Sequence, residues 1–222
     1  MARNRDPFTQ ALASLRERIH SGALAGGAPV IVQDEAARLQ LSTTPIREAL
    51  ARLSGEGLVE RAASGGYVTV RLDAAAARDR YAMHGEYVKI ALHLNARAMG
   101  ARRPPAIRAP EDTAASAVNR LFGTIVCSAG NHVLWRAFER VGGQLELVRR
   151  FEPLLFEDLE DEADILHAAY SDTALSGLVE VVARYHERRE LACGPLAALV
   201  FGPVRGAAAP IADDRPGPSS PH

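Results

Sequence analysis

A short run of polar residues offers the clearest chemistry in this chain. Ser42, Thr43 and Thr44 carry short hydroxyl groups, and Arg47 follows about one helical turn later. Hydroxyl groups can donate hydrogen bonds to phosphates, and a guanidinium can grip a phosphate or a guanine with two donors. Together these groups suit contact with the major groove of DNA.

The neighbouring residues predict a helix that presents this run. Ser42 is expected to be its N-cap, Pro45 falls inside the first turn, where a missing N–H costs nothing, and Gly55 and Gly57 end it. The opposite face is apolar, at Ile46, Leu50 and Leu53. The helix therefore packs on one side and leaves the polar side free.

The elements around this helix indicate a winged helix-turn-helix over residues 1–73. Asp6 and Pro7 start a first helix that Gly22 ends, residues 29–32 form a short strand, and residues 33–39 form a second helix. Residues 58–61 and 67–71 then pair as a hairpin, the wing. The prediction is three helices plus a β-hairpin.

Two further residues of this domain are candidates for DNA contact. Gln33, at the start of the second helix, is placed to touch a phosphate. Gly66, at the tip of the wing with Gly65, allows a tight turn and a close approach of the backbone to the minor groove.

Each candidate also has a simpler interpretation. Arg47 can be a solvated arginine, although its helical neighbours include no acid, whereas Glu48 is placed to pair with Arg52. The hydroxyls at positions 42–44 can serve only as caps, and Gly66 only as a hairpin tip.

The rest of the chain predicts an all-α helical bundle over residues 74–200. Apolar residues recur at helical spacing in about five segments, near 74–99, 111–129, 131–149, 155–169 and 174–191. A break with three prolines separates the first two. Residues 201–222, rich in Ala, Gly, Pro and Ser, predict a disordered tail.

Composition and charge narrow the class of protein. Only 5% of the 222 residues are aromatic, and Ala and Leu are frequent, which favours helices. The net charge is −1, so any basic surface must be local, and residues 1–72 hold nine Arg against seven acids. The acidic run at 157–164 is interpreted as a solvated face.

Several classes of protein find no support. Cys127 and Cys193 have no paired spacing, so neither a disulfide framework nor a zinc site is expected. No hydrolase elbow, phosphate-binding loop or metalloprotease motif is present, so we expect no enzyme and no cofactor. Because there is also no apolar run of about 20 residues and no signal-peptide segment, a cytoplasmic protein without membrane contact is expected.

The first 72 residues resemble the winged-helix domain of the GntR family of bacterial transcription regulators. The specific match is Pro45-Ile-Arg-Glu-Ala-Leu50, followed by Gly57-Leu-Val59 and Gly66-Tyr-Val68. Gly26, Glu35 and Gln40 depart from residues that the family favours, which are proline, leucine and often glycine. The resemblance implies that the polar run lies on a recognition helix and that the protein is a homodimer bound to a palindromic operator.

The helical remainder resembles the effector domain of the FadR subfamily, also called the FCD domain. The similarity covers Tyr81 to Ala96, Leu121 to Asn131 and Glu162 to Ala168. It implies a metal site of one Asp and three His, but Val118 and Phe122 stand at two ligand positions and Glu162 near a third. Since neither Val nor Phe can ligate a cation, we expect no metal.

Two histidines are candidates for an effector pocket. His84 stands where the subfamily often has a pocket arginine, and His186 is the one metal-ligand position at which a histidine could survive. For both, a structural role with hydrogen-bonded partners is the alternative.

The sequence thus predicts a dimeric, sequence-specific DNA-binding transcription regulator, a repressor, whose affinity for double-stranded operator DNA is modulated by a small-molecule effector such as an organic acid. The alternative is a constitutive DNA-binding protein whose helical domain only dimerises.

Overall fold

A computed structural model describes residues 6–63, 65–100, 103–106, 108–109, 111–172 and 174–202. The chain is mainly helical, with a small winged domain at its N-terminal end and a helical domain after it. The tail predicted for residues 201–222 lies, from residue 203 onward, outside the described residues.

The N-terminal domain has the predicted order of elements. Its helices are α1 (Pro7–His20), α2 (Val32–Leu39) and α3 (Thr43–Glu56), and its strands are β1 (Pro29–Val30), β2 (Val59–Arg61) and β3 (Tyr67–Thr69). The strands form one antiparallel sheet in the order β1-β3-β2. The Asp6 carboxylate accepts a hydrogen bond from the Thr9 backbone N–H at 3.1 Å, so the predicted start of α1 is confirmed.

The core of this domain forms because α1, α2 and α3 turn their apolar stripes inward. Leu15, Ile46, Leu50 and Leu53 are fully buried there. Burial of one such side chain is worth about 2 kcal/mol, so this shared core fixes the direction of α3.

The turn between α2 and α3 contains an unusual backbone conformation. Gln40 has φ +54°, in the left-handed region, and it is the C-cap of α2. At this position the GntR family, which the sequence resembles, often has glycine, a residue that adopts the left-handed conformation easily.

The helical domain contains five α-helices within the described residues. They are α4 (Ala74–Met99), α5 (Ala114–Ser128), α6 (His132–Arg149), α7 (Leu159–Ser171) and α8 (Leu175–Phe201), and a 3-10 turn (Glu152–Leu154) precedes α7. α4 and α8 pack along each other, and α5 packs against α7. Among the described residues, no helix has the length and apolar character that crossing a membrane requires.

The two largest errors in the predicted helix bounds are at the start of α7 and the end of α8. The prediction started α7 at residue 155, but Pro153 lies in a 3-10 turn and α7 begins only after Asp158. The prediction also ended α8 at residue 191, before Gly194 and Pro195. The helix continues to Phe201, and the buried Leu196 gives its last turns an apolar contact with the core.

The acidic run at 157–164 was predicted to be a solvated face, but part of it makes ion pairs with α8. Asp158 and Glu162 pair with Arg188 on α8, and Glu162 also pairs with the buried Arg189 at 2.7 Å. The run therefore fastens α7 to α8 through charge-assisted hydrogen bonds.

Candidate DNA-binding surface and buried histidine site

The polar run lies on the exposed side of α3, as predicted. Thr43, Thr44 and Arg47 are exposed, while Ile46 and Leu50, on the opposite side of the helix, have no exposed surface. Within the described residues, Arg47 has no ion-pair partner. The guanidinium is therefore available to a partner outside the chain.

Ser42 occupies the N-cap position of α3, but its hydroxyl makes no capping hydrogen bond. The expectation that Ser42 caps the helix through its side chain was therefore wrong. At the exposed start of a helix, free backbone N–H groups and the positive end of the helix dipole favour an anion. The uncommitted hydroxyl adds one more donor in the same place.

Arg52 and Glu48 do not pair as the spacing predicted. Arg52 Nε instead donates to Glu56 Oε1 at 2.9 Å, and Arg16 of α1 binds the same carboxylate at 2.9 Å. Glu56 is the more favourable partner because Arg16 holds its carboxylate in place. The pairing occupies Arg52 near the C-terminal end of α3, away from Arg47.

Gln33 and Gly66 are both exposed, in the first turn of α2 and at the tip of the wing. Gly66 has φ +83° and Gly65 has φ +88°, a conformation that favours glycine. The Ala62 backbone N–H donates to the Gly66 carbonyl at 3.3 Å and closes the wing turn.

The wing also carries a cation that the sequence interpretation missed. Arg61 pairs with Tyr67 across the hairpin, and its guanidinium lies 5.7 Å from the centre of the tyrosine ring. Arg61 is exposed and close to the wing tip. The signal that could have identified it is its place at the end of the predicted strand 58–61, next to the wing turn.

The two candidate pocket histidines meet at the centre of the helical domain. His84 of α4 and His186 of α8 are 1% and 3% exposed, and His84 Nδ1 lies 2.9 Å from His186 Nε2. His186 Nδ1 lies 2.8 Å from the Val182 carbonyl oxygen, and the buried Arg149 Nη2 lies 3.1 Å from His84 Nε2.

These contacts permit only one direction of hydrogen-bond donation, from Arg149 through His84 and His186 to the Val182 carbonyl. A carbonyl only accepts, so His186 Nδ1–H donates to Val182 and its Nε2 must accept from His84 Nδ1–H. His84 Nε2 is then the acceptor for Arg149, which only donates. Both histidines are thus neutral, with the proton on Nδ1, and each ring nitrogen has a partner.

The surroundings keep both rings neutral. Burial, above all, and the nearby charge of Arg149 hold the pKa of His84 well below its ordinary value, and burial lowers the pKa of His186 to about 3. Phe122 lies against both imidazoles, with ring centres 5.9 Å from His84 and 5.3 Å from His186. An additional proton on either ring would meet a neighbouring donor and an apolar wall.

A second buried network lies nearby. Glu152 accepts from the Tyr81 hydroxyl at 2.8 Å and from Arg189 Nε at 3.0 Å. Arg189 is 1% exposed, and its guanidinium lies 3.4 Å from the centre of the Tyr185 ring. Because each buried charge has a charged partner, this network orders α8 against the 3-10 turn and α7.

The residues expected at the metal positions are built into the apolar core. Val118 and Phe122 are buried against α4 and α8, with 2% and no exposed surface. In the part of the chain that the structure describes, no three His, Cys, Asp or Glu side chains are grouped to hold a metal ion.

Comparison with known proteins identifies the class of the N-terminal domain. Residues 8–68 match the family model described as bacterial regulatory proteins, gntR family. Together with three helices and a wing, this match shows a GntR-type winged-helix domain, the DNA-binding domain of a class of transcription regulators. No curated protein sequence matches the chain.

Solved structures resemble both domains together. A structure of E. coli McbR/YncC matches with a TM-score of 0.62 at 19% identity, covering 85% of this chain and 97% of that one. A structure of a GntR transcriptional regulator of Rhodococcus sp. RHA1 matches with a TM-score of 0.62 at 17% identity, covering 84% and 96%. At these identities the likeness shows the shared fold, a GntR-type winged helix followed by a helical domain.

Proposed function

We propose that the protein is a homodimeric, sequence-specific DNA-binding repressor of the FadR type that acts on operator DNA in the cytoplasm. The observation that carries this proposal is the exposed side of α3, where Thr43, Thr44 and Arg47 are presented on a GntR-type domain while the opposite side is fully buried. A helix with this division fits the major groove.

The proposed contacts with DNA are of two kinds: contacts with phosphates that position the protein, and contacts with base edges that recognise the sequence. The hydroxyls and backbone N–H groups at residues 42–44, together with Gln33, bind phosphates, and Arg47 contacts base edges. On the wing, the Gly66 backbone and the Arg61 guanidinium approach the minor groove, where a cation is favoured by the negative potential.

An exposed side of α4 supports the homodimer. Met83 and Ile90 are 44% and 46% exposed, with Asp79 one turn before them and Arg97 about two turns after. A two-fold axis near Glu86 would place Met83 of each copy opposite Ile90 of the other, with Asp79 and the partner's Arg97 about one helical turn out of register. Such an interface brings the same apolar residues of both copies together, as a two-fold dimer requires.

The dimer has a direct test in solution. Sedimentation equilibrium should give twice the chain mass for the unaltered protein and the chain mass for Met83→Glu, which places an acid in the apolar centre of the interface. A Val133→Glu control alters another exposed apolar residue, at the start of α6, and should leave the dimer intact. Monomeric unaltered protein would contradict this part of the proposal.

We further propose that a small organic acid binds the helical domain near His84 and His186 and shifts the arrangement of the DNA-binding domains. The second candidate is a constitutive DNA-binding protein whose helical domain only dimerises. The observation that favours it is the closed hydrogen-bond chain from Arg149 to Val182, which uses both ring nitrogens of each histidine.

DNA binding is tested by fluorescence anisotropy with duplexes from the promoter of the protein's own operon, at two salt concentrations and with random competitor DNA. The proposal predicts tight binding that competitor does not remove and that weakens with salt, because phosphate contacts release counterions. Weak binding that is equal on random DNA would contradict sequence-specific recognition.

A thermal-shift screen of organic acids separates the two candidates. A ligand present at 100 times its Kd stabilises the folded state by about 2.7 kcal/mol, and it should also release the DNA. If none of the acids raises the melting temperature while DNA binding is intact, the constitutive candidate is favoured.

A further inference from the structure

One side chain of the helical domain reaches the end of the recognition helix. Gln144, on α6, donates from Nε2 to the backbone carbonyl of Glu56 at 2.9 Å. Glu56 is the last residue of α3, so this carbonyl has no partner within its own helix. The amide therefore supplies a donor that the helix end lacks.

The other end of the same amide is also engaged. Arg80 of α4 donates from Nε to Gln144 Oε1 at 2.7 Å, and its Nη1 donates to the Ala76 carbonyl at 2.8 Å. Gln144 thus joins the long helix of the helical domain to the end of α3. Its partners lie 64 and 88 positions away in the chain.

The two contacts together require a side chain that both accepts and donates, as the Gln144 amide does. Arg80 offers only donors and a backbone carbonyl offers only acceptor lone pairs, so the bridging group must accept at one end and donate at the other. A carboxylate at position 144 would keep the contact to Arg80 but would face the Glu56 carbonyl with a second acceptor. An apolar side chain would lose both bonds.

The chain leaves room for this bridge at Gly57. This residue has φ +75°, and a Cβ atom there would lie 2.3 Å from Gln144 Nε2. Gly57 therefore serves the helix end twice, because it adopts the left-handed conformation and lets the amide approach the backbone.

We propose that Gln144 is a positioning residue that fixes the recognition helix on the helical domain and so sets the distance between the two recognition helices of the dimer. The inference rests on the proposed function, dimeric binding to a palindromic operator. Gln144 does not touch DNA. It acts through the orientation of α3, because its bond ends at the α3 terminus opposite to the DNA-contacting one.

A nearby contact between the domains provides a control. Arg150, the residue directly after α6, pairs with Glu17 of α1 at 3.0 Å, and both side chains are exposed. Exposed ion pairs contribute little. Arg150→Gln therefore removes a bond between the domains without touching the end of α3.

The experiment measures the preference of the full-length protein for half-site spacing. The duplexes carry one half-site, two half-sites at the spacing that the unaltered protein binds most tightly (the selected spacing), or two half-sites with one base pair added to or removed from that spacing. One base pair rotates one half-site by about 35° relative to the other. Gln144→Met, Gln144→Glu and Arg150→Gln are compared with the unaltered protein, and the melting temperature of each confirms folding.

The preference for the selected spacing should fall about fivefold in both Gln144 variants, the equivalent of one net hydrogen bond. Affinity for the single half-site should stay within about twofold in both, and Arg150→Gln should keep the preference. Two results would overturn the role of Gln144 if the unaltered protein has a spacing preference. One is that both Gln144 variants keep that preference, and the other is that they lose as much affinity for the single half-site as for the paired half-sites. An unaltered protein that lacks any spacing preference would overturn dimeric recognition as well.

Discussion

The buried pair of histidines predicts a specific dependence of stability on pH. His186 has an ordinary pKa of 6.5, which burial lowers to about 3 in the folded protein. Below pH 6.5 the His186 imidazole therefore binds a proton in the unfolded chain but stays neutral in the folded chain. Stability is full above pH 6.5 and falls as the pH drops toward 3.

The magnitude follows from the two pKa values. One unit of difference corresponds to about 1.36 kcal/mol. At pH 5 the unfolded imidazole is protonated while the folded one is still neutral, so His186 alone lowers the free energy of unfolding by about 2 kcal/mol relative to pH 7.5. His84, whose pKa is also held well below its ordinary value, adds to the decrease.

The assay is urea unfolding of His186→Gln and of the unaltered protein at pH 7.5 and pH 5.0. Glutamine keeps a polar group but does not titrate, so the decrease between the two pH values should be about 2 kcal/mol smaller in the variant.

His93→Gln is a matched control. His93 Nδ1 lies 2.8 Å from the Lys89 carbonyl, the same i−4 contact that His186 makes with Val182, but the residue is exposed. This control should show the full decrease. An equal decrease in His186→Gln and the unaltered protein would refute the argument that the folded domain excludes the proton.

Three further changes test particular contacts by chemical denaturation. Gln40→Gly should raise the free energy of unfolding by about 0.5 kcal/mol. Removing the strain of the left-handed conformation stabilises the folded state by more than the added flexibility of glycine stabilises the unfolded chain. A decrease would contradict the conformation assigned to this turn. Glu152→Gln should lower the free energy of unfolding by about 1.5 kcal/mol, because Arg189 loses one of its two carboxylate partners and keeps Glu162; a change below about 0.5 kcal/mol would refute the contribution of that pairing. Gly85→Ala should cost about 1–3 kcal/mol through overpacking, since its Cβ would lie 2.8 Å from His186 Cγ, and a neutral result would show that α4 and α8 separate easily.

Local signals predicted the winged domain well. Asp6 and Pro7 marked the start of α1, and the helical repeat of apolar residues marked α3, because such signals act within a few positions of the chain. The left-handed conformation of Gln40 was not predicted, since a glutamine there depends on the packing of the two helices that flank it rather than on local preference.

The site in the helical domain was predicted less completely. His84 and His186 were selected from a resemblance, but their direct contact was not predicted because they lie 102 positions apart. The roles of Gln144 and Arg61 were missed for a similar reason. Each looks like an ordinary polar surface residue until the register of the hairpin or the contact between domains is known.

The end of α8 shows why strong local signals can mislead. The prediction ended this helix at residue 191, and Gly194 and Pro195 disfavour a longer one. The buried Leu196 and the contact of Phe201 with Arg71, 5.4 Å from guanidinium to ring centre, nevertheless give the last turns tertiary partners. Contacts distant in sequence outweighed the local preference against proline.

Recognition of bases by Arg47, with other groups holding the phosphates, has a direct test. Arg47→Ala is measured against Arg136→Ala, an exposed arginine on α6, by anisotropy on operator and on random DNA. Arg47→Ala alone should lose about tenfold to a hundredfold in affinity for the operator, with a much smaller loss on random DNA. Equal affinities for the two variants on the operator would contradict the assignment of α3 as the recognition helix.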